Sequence, residues 1–404
     1  MTLPIAIITG DYHLVSHAWK SRPTLSGDAE CALRQVAGLS RKTGLPIIAA
    51  GDLFDSKNPG MPNLYPAHRL LRDTRGYYIQ GNHDRQSLPW MLLVAPIWTH
   101  LEKQPVTLTT NGVKYTEEVI FRDDIMVIPP LFDTNKTWNV YGLDFSSSTD
   151  QLRERLDSLA IESRDGKANL LVLHQSTPQT MPMDLNELQD KMVPDAVDLV
   201  VVGHCHQAKT FVVTTQSGDV IPAISPGGFH LLSILESPKK QMYVLFSDGS
   251  VRTVPLVTRR VLAANLCDKT DSEVREEAAK LRKNIAKGKK RPVEITKPIV
   301  YARMNESTSQ EAERILKSEL GESAHLFFKR ERSGEVGGKI DVSRLENIDI
   351  ARHAELGFEY VRNIFHDHES DTDVREIVEG LLGTDPSLET YQTLKSRFLE
   401  TQSC

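Results

Sequence analysis

The sequence predicts an α/β fold in which short buried strands alternate with helices. Over residues 3–256, apolar runs rich in Val and Ile recur between stretches with helical periodicity. The runs are apolar throughout, which is typical of strands that are covered on both faces. Each run also ends in glycine or polar residues. Functional loops of layered α/β folds lie at the carboxyl ends of such strands, so the residues that follow them are the first candidates for a site.

The individual elements follow from these patterns in chain order. The predicted strands are IAIIT (5–9), PIIAA (46–50), GYYIQ (76–80), NLLVLH (169–174) and VDLVVVG (197–203). Helical periodicity behind an acidic or threonine cap predicts helices over residues 28–43 and 149–163. Further along the chain, residues 295–305 and 323–331 are predicted as strands, and 309–320 as a helix capped by Ser309.

Composition indicates a soluble chain with room for more than one domain. The 404 residues are 40% hydrophobic and 25% charged, which is enough apolar material for a large core. Four scattered cysteines without a CxxC pair favour neither a disulfide framework nor a zinc ribbon, so a reducing compartment is expected. The first apolar run is too short for a signal peptide and no later run is long enough to span a bilayer. A cytoplasmic protein without a membrane partner is therefore expected.

The charge distribution is uneven along the chain. A formal net charge of -6 argues against a generally basic nucleic-acid-binding protein. Residues 280–303 nevertheless contain nine Lys and Arg residues against the single acid Glu294. Such a basic block is often only a solvated surface, so phosphate binding needs a second observation beside it.

Candidate metal ligands follow the five strands of the first 256 residues. The strand ends carry GDYH (10–13), GDLFD (51–55), GNHD (81–84), His174 and GHCH (203–206). Carboxylate, amide oxygen and imidazole without thiolate suit divalent ions such as manganese, iron or zinc. A lone histidine or a Gly-Asp pair is usually structural. All five motifs, each behind its own strand, together indicate a metal site.

Taken in order, these motifs resemble those of the calcineurin-like metallophosphoesterase superfamily. More narrowly, the sequence resembles the SbcD-type nuclease subunits of DNA double-strand-break repair and their phage relatives. The narrower resemblance depends on GDLFD and GNHD, on SPGGFHLLSI (225–234) and on VPLVTRRVLAANL (254–266). It implies a four-layer α/β/β/α sandwich over residues 1–256, a smaller α+β DNA-capping domain over 257–345 and a helical partner-binding tail over 346–404.

The resemblance also implies a role for each residue of the motifs. Two divalent ions are expected, with Mn2+ as the first choice, and Asp52 is expected to bridge them with one oxygen to each. His83 would contact the scissile phosphate and protonate the leaving oxygen, and Asp84 would either orient His83 or serve as a turn residue. The remaining ligands divide into Asp11, His13 and His206 for the first ion and Asn82, His174 and His204 for the second.

Several nearby residues receive other assignments. Asp55 stands where archaeal and eukaryotic relatives have histidine, so their exonuclease behaviour does not transfer directly to this chain. Cys205 is expected to be a small filler that points into the fold. Four further histidines are assigned to structure, and they are His17, His68, His100 and His230.

The later segments supply the expected partners. The predicted capping domain contains the basic block, and with a metal site beside it Lys287, Lys289, Lys290 and Arg291 are predicted to bind DNA phosphates. The tail has apolar residues at roughly helical spacing between 364 and 382. That pattern fits either packing within the chain or docking on the coiled coil of an SMC-like ATPase subunit (SbcC-type). A homodimer is also expected.

The whole sequence predicts a metal-dependent DNA nuclease subunit that hydrolyses phosphodiesters. A phosphatase or cyclic-nucleotide phosphodiesterase of the same superfamily is one alternative, and a non-catalytic scaffold with the same fold is another. The scaffold is disfavoured because every expected ligand and His83 are present. GEVGGK (334–339) lacks the glycine spacing of a P-loop and is followed by Ile340, so ATP is expected to be bound by a partner.

Overall fold

A computed structural model describes residues 2–14, 25, 27–59, 61–84, 88–110, 126–162, 166–181, 187–233, 236–288, 291–306 and 309–331. The chain divides into two compact units, residues 1–334 and 335–404, and every described residue lies in the first. The described strands are β1 (Pro4–Thr9), β2 (Ile47–Ala49), β3 (Gly76–Tyr78), β4 (Trp98–His100), β5 (Val106–Leu108), β6 (Met126–Ile128), β7 (Thr137–Leu143), β8 (Lys167–His174), β9 (Leu199–Gly203), β10 (Lys209–Thr214), β11 (Val220–Ser225), β12 (Gln241–Phe246), β13 (Val251–Pro255), β14 (Val261–Asn265), β15 (Ile299–Asn305) and β16 (His325–Glu331). The described α-helices are α1 (Gly27–Thr43), α2 (Met61–Leu71), α3 (Leu88–Val94), α4 (Thr149–Asp157), α5 (Asp271–Ala286) and α6 (Ser309–Leu320).

Two mixed sheets are built from residues 4–255. The first has the order β4-β3-β2-β1-β12-β13-β6, in which β1 to β4 are parallel and β12 is antiparallel to β1. The second has the order β10-β11-β9-β8-β7-β5, in which β7, β8, β9 and β11 are parallel. Parallel neighbours end at the same edge of a sheet, so the loops after β1, β2 and β3 lie together, as do those after β8 and β9.

Three apolar clusters hold these layers together. The central cluster lies between the two sheets and includes Ile48 of β2 and Val172 of β8. A second cluster packs α1, α2 and α3 on the outer face of the first sheet, for example through Val36. A third packs α4 on the outer face of the second sheet through Leu152 and Leu156. The four-layer α/β/β/α sandwich expected from the sequence is thereby confirmed.

Helix α4 is shorter than the sequence pattern suggested. Its N-cap is Ser148, whose hydroxyl accepts a hydrogen bond from the backbone N–H of Gln151, and the helix ends at Asp157 rather than at residue 163. Leu159 and Ile161 continue the apolar pattern because they pack against the second sheet after the helix has ended. The apolar pattern over 149–163 therefore predicts the buried positions correctly, but it predicts too long a helix.

A third, smaller sheet follows the sandwich. Strands β14, β15 and β16 are all parallel, and α5 and α6 cover the sheet with a core of their own. Helix α5, which was not predicted, begins with a reciprocal cap between Thr270 and Glu273. Ser309 begins α6, but its hydroxyl donates to the carbonyl of Glu306 instead of capping a backbone N–H.

The third sheet is joined to the sandwich through a buried ion pair. The guanidinium of Arg259 lies 2.6 Å from the carboxylate of Asp28 in α1 and also donates to the backbone carbonyl of Lys297. Leu25, Leu231 and Ile299 form a small apolar cluster at the same junction. The division at residues 256 and 345 stays a prediction.

Some expectations fall outside the described residues. They concern Lys289, Lys290, His17, the GEVGGK segment and the tail over 346–404. Within the described parts of the chain, no helix is both long enough and apolar enough to cross a membrane.

Candidate metal centre

The five motifs converge where the strand ends of the two sheets meet. Loops after β1, β2 and β3 bring Asp11, His13, Asp52 and Asn82 from the first sheet, and β8 and β9 bring His174, His204 and His206 from the second. The structure thus places all seven predicted ligands in one region. Neither sheet supplies the full set by itself.

The first cluster combines Asp11, His13, Asp52 and His206. The Nε2 atoms of His13 and His206 lie 3.1 Å apart, and Nε2 of His13 is 3.5 Å from Oδ2 of Asp52. Ligand atoms of Asp11, His13 and Asp52 lie within 4.8 Å of one another, and all three side chains are buried. These are the residues predicted for the first ion.

The second cluster combines Asn82, His174, His204 and again Asp52. Oδ1 of Asn82 is 3.1 Å from Nε2 of His174 and 3.0 Å from Nδ1 of His204. Nε2 of His174 is 3.3 Å from Oδ2 of Asp52. Histidines of both clusters therefore approach the same oxygen of Asp52. The expected bridging of two ions by Asp52, with one oxygen to each, stays a prediction. The other oxygen, Oδ1, accepts a hydrogen bond from the backbone N–H of His83 at 2.9 Å.

The donor set fits divalent metal ions. Oδ2 of Asp11 is buried without a hydrogen-bond partner among the described residues, a costly state for a carboxylate oxygen unless a cation satisfies it. Burial alone would lower the pKa of His174, but the carboxylates of Asp52 and Asp11 raise it to about 10. The cluster thus has a negative potential that attracts positive charge. Oxygen and imidazole ligands without thiolate suit Mn2+, Fe2+ or Zn2+.

The backbone is strained at three of these positions. His13, Asp52 and His204 have φ angles of 41°, 49° and 83°, which side-chain-bearing residues rarely adopt. Two of the motif glycines leave no room for a side chain. A Cβ on Gly81 would lie 2.1 Å from Oδ1 of Asp52, and one on Gly203 would lie 2.0 Å from the carbonyl oxygen of Ala50. Strain of this kind is typical of functional sites.

His83 lies beside both clusters and is partly open to solvent. Its side chain is 42% exposed, and its ring packs edge-on against His13. Nδ1 of His83 is 3.3 Å from Oδ1 of Asp55, which is also 2.8 Å from Nδ1 of His13. The contact with Asp55 raises the pKa of His83.

Asp84 contacts the backbone instead of the His83 ring. Its carboxylate accepts hydrogen bonds from the backbone N–H groups of Leu53 at 2.8 Å and Gly81 at 2.7 Å. Burial raises the pKa of Asp84 to about 7, and the nearby Asp52 adds to that shift. The structure therefore favours the turn role for Asp84. The carboxylate that contacts the His83 ring belongs to Asp55. In the sequence, only its place in the GDLFD motif, three residues after Asp52, indicated that Asp55 could lie near the site.

The turn over residues 225–231 holds the backbone of two proposed ligands of the first cluster, Asp11 and His206. The backbone N–H of Phe229 donates to the carbonyl of Asp11, and that of Gly228 donates to the carbonyl of His206. The imidazole of His230 lies 2.8 Å from the carbonyl oxygen of Tyr12. Burial lowers the pKa of His230 to about 4, so its ring is neutral near pH 7.

Three further residues singled out in the sequence, all within the described part of the chain, have polar partners. His68 contacts the carbonyl of Leu93, and Nε2 of His100 lies 2.7 Å from Asp144. Cys205 is buried, and its thiol points to the carbonyl of Thr180 at 3.5 Å.

Several basic residues of the block over 280–303 already have partners in the subdomain formed by the third sheet with α5 and α6, or next to it. Lys280 pairs with Glu276, and Arg282 pairs with Glu319. Arg291 donates to the backbone carbonyl of Thr258. Lys287, at the C-terminal cap of α5, is exposed.

Fold and site together define a metal-dependent phosphoesterase. A comparison with protein families matches residues 6–208, about half of the chain, to the calcineurin-like phosphoesterase family. The chain belongs to this family, whose members use divalent metals. A search of curated proteins found no match.

Proposed function

We propose that the protein is a metal-dependent nuclease that hydrolyses phosphodiester bonds in DNA during end processing, repair or recombination. The observation that carries the proposal is the half-exposed imidazole of His83 beside two ligand clusters that share one oxygen of Asp52. Both features would serve phosphodiester hydrolysis, because metal ions can activate the nucleophile and an imidazole can protonate the leaving alkoxide.

The side chains divide this chemistry between them. Two divalent ions, with Mn2+ as the expected metal, would supply a hydroxide and neutralise charge on the phosphate. Asp52 would fix the separation of the two ligand clusters through its shared oxygen. Nδ1 of His83 faces Asp55, so Nε2 is the ring atom left to protonate the leaving oxygen. Because the raised pKa keeps more of the ring protonated near neutral pH, His83 is suited to act as a general acid.

The third sheet supports DNA as the substrate. Leu231 packs with Ile299 of this sheet, and the preceding residue, His230, contacts the backbone of Tyr12 between two proposed ligands. The subdomain that contains Lys287 therefore packs next to the metal centre. Exposed lysines of this part of the chain, such as Lys287, are therefore proposed to contact phosphates of bound DNA.

The ion pairs of Lys280 and Arg282 and the backbone hydrogen bond of Arg291 favour a second candidate, a phosphatase or cyclic-nucleotide phosphodiesterase. A small ester would not need free basic residues outside the centre. Hydrolysis of single- and double-stranded DNA and of small esters, measured with Mn2+, Mg2+ or chelator, distinguishes the two candidates. A preference for small esters would overturn the nuclease proposal.

Two variants test the assigned chemistry. His83→Ala should keep two Mn2+ ions per chain and lose about 10²–10⁴-fold in DNA cleavage, because a general acid is removed while the ligands remain. Asp52→Ala should lose metal and activity together. Elemental analysis of both variants checks this, and loss of metal from His83→Ala would contradict its role.

The nuclease is further proposed to act with an SMC-like ATPase subunit of SbcC type that docks on the tail. The proposal rests on the sequence resemblance, since residues 346–404 lie outside the described part of the chain. Truncation after residue 345 should abolish co-purification with the ATPase and ATP-stimulated cleavage of duplex ends, while two Mn2+ ions per chain remain bound. Loss of metal or unfolding on truncation would instead make the tail part of the core.

A further inference from the structure

Glu236 lies behind the proposed ligand His206. Oε1 of Glu236 is 3.5 Å from Nδ1 of His206, and Nε2 of the same ring is 3.1 Å from Nε2 of His13 in the first cluster. The two nitrogens of the ring therefore have different surroundings. One faces the ligand cluster, and the other faces a carboxylate outside it.

Glu236 is itself held in place by two further groups. Its Oε2 accepts a hydrogen bond from Nζ of Lys240 at 2.8 Å and one from the backbone N–H of Leu232 at 3.4 Å. The Lys240 side chain is only 5% exposed. A buried ammonium is costly without a partner, so the pair fixes the carboxylate toward His206.

Two other proposed imidazole ligands, His13 and His174, can be compared with His206. Nδ1 of His13, in the first cluster, contacts the carboxylate of Asp55 at 2.8 Å. Nδ1 of His174, in the second cluster, contacts the neutral carbonyl of Ala50 at 2.6 Å. Both imidazoles of the first cluster thus have a carboxylate at the second ring nitrogen. Nδ1 of His174 in the second cluster lies closer to a peptide oxygen than to Oδ1 of Asp11, which is 3.7 Å away.

We propose that Glu236, anchored by Lys240, is a positioning residue that orients the His206 ring and strengthens metal binding in the first cluster. The inference rests on the ligand role proposed for His206. A carboxylate at the second nitrogen fixes the tautomer and orientation of an imidazole ligand and raises its basicity. The competing explanation is an ordinary ion pair that only joins Glu236 to Lys240 and stabilises the local fold.

Binding of Mn2+ to the metal-free full-length protein tests the proposal. The electron paramagnetic resonance signal of free aqueous Mn2+ reports how many ions bind and how tightly. Wild type should bind two ions. In Glu236→Gln the dissociation constant of one ion should rise about 10–100-fold, while the other ion keeps its affinity. Glu313→Gln is the matched control, because Glu313 pairs with Lys317 and Arg330 away from the proposed ligands and should bind like wild type.

A double variant separates positioning from simple stabilisation. Glu236→Gln leaves Lys240 buried without its partner and should lower the urea midpoint of the metal-free protein. Glu236→Gln with Lys240→Met removes that unpaired charge and should recover stability but not metal affinity. Recovery of affinity in the double variant, or two ions bound at wild-type affinity in Glu236→Gln, would overturn the proposal. Failure of the wild type to bind Mn2+ would overturn the metal centre itself, and this inference with it.

Discussion

At the scale of single residues, three proposed ligands have a positive φ angle, and they are His13, Asp52 and His204. Such a conformation costs on the order of 1–3 kcal/mol per residue and persists only where neighbours enforce it. Here the neighbours are the other motifs. The backbone N–H of His13 donates to the carbonyl of Asp52, and the backbone N–H of His204 donates to Oδ1 of Asp11. Each motif thus helps to hold the strained residue of another motif in place.

Asp55 should control the pH dependence of hydrolysis through His83. Its carboxylate favours the protonated ring, so the pKa of His83 is raised and the acid form, present below that pKa, is lost as pH rises through it. Asp55→Asn removes this charge and lowers the pKa. The alkaline decline of kcat for a small model diester should therefore begin at lower pH in Asp55→Asn than in wild type.

The comparison needs equal metal loading, because Asp55 also contacts His13. Both proteins are assayed at saturating Mn2+, with bound metal counted at each pH. His83→Ala should lack the alkaline decline altogether. An unchanged decline in Asp55→Asn at full metal occupancy would remove Asp55 from this role.

The limits of sequence inference at this scale follow from distance along the chain. Asp52 and Asn82 were predictable because each follows its own apolar strand within a short motif. The contacts of Asp55 with His13, and of Glu236 with His206, join residues that are far apart in sequence. They depend on side-chain directions that only the folded loops determine. The approach of His13 and His174 to one oxygen of Asp52 also depends on how the loops fold.

At the scale of elements, strands were predicted better than helices. Strands β1 and β9 are buried at every position, so continuous apolar runs identified them. Helix α5 buries only Val274, Ala278 and Leu281 of its sixteen residues, and its remaining surface is largely charged. Its basic residues are evident in the sequence, but the three buried positions are too few to predict the helix that carries part of them. The structure adds that several of them are already paired.

Those pairings sharpen the prediction for the basic block. Changing Lys287, Lys289 and Lys290 together to Ala should weaken DNA binding and reduce the slope of log K against log [salt] by about one for each lost phosphate contact. Arg291 is left unchanged in this variant because it donates to the carbonyl of Thr258 and contributes to packing. Fluorescence anisotropy with a labelled duplex over a range of KCl concentrations measures the slope.

Lys280→Ala is the matched control for this experiment. Lys280 lies on α5 but pairs with Glu276, so its removal should leave the slope close to that of wild type. Equal slopes for the triple variant and wild type would identify the block as a solvated surface.

At the scale of the whole molecule, the centre exists only when the two sheets are packed together. Asp11, His13 and Asp52 come from the first sheet, and His206 comes from the second. The central apolar cluster that joins the sheets therefore also closes the metal centre. Metal binding should in turn stabilise the packed arrangement, because an ion that binds only the folded state shifts the folding equilibrium towards it.

Among the described residues, helices α2 and α3 carry neighbouring exposed apolar side chains, which we propose as the interface of the expected homodimer. Tyr65, Leu92, Leu93 and Ile97 are between 47% and 64% exposed. His68, three residues after Tyr65, contacts the carbonyl of Leu93, so these side chains belong to one surface. The four residues carry no charge. Such a surface can pair with its own copy about a two-fold axis, because each residue meets its counterpart or a neighbour without unpaired charge.

Leu92→Glu with Leu93→Glu should therefore convert a dimer into a monomer. Buried apolar anchors of an interface each contribute roughly 2 kcal/mol, so losing even one weakens association about 30-fold, and the added carboxylates would repel across the axis. Light scattering coupled to size-exclusion chromatography should give twice the chain mass for wild type and the chain mass for the variant. Val220→Glu changes another exposed apolar residue, 65% exposed on β11 of the second sheet, and should remain dimeric. A monomeric wild type, or a dimer that persists in the double variant, would exclude this surface as the interface.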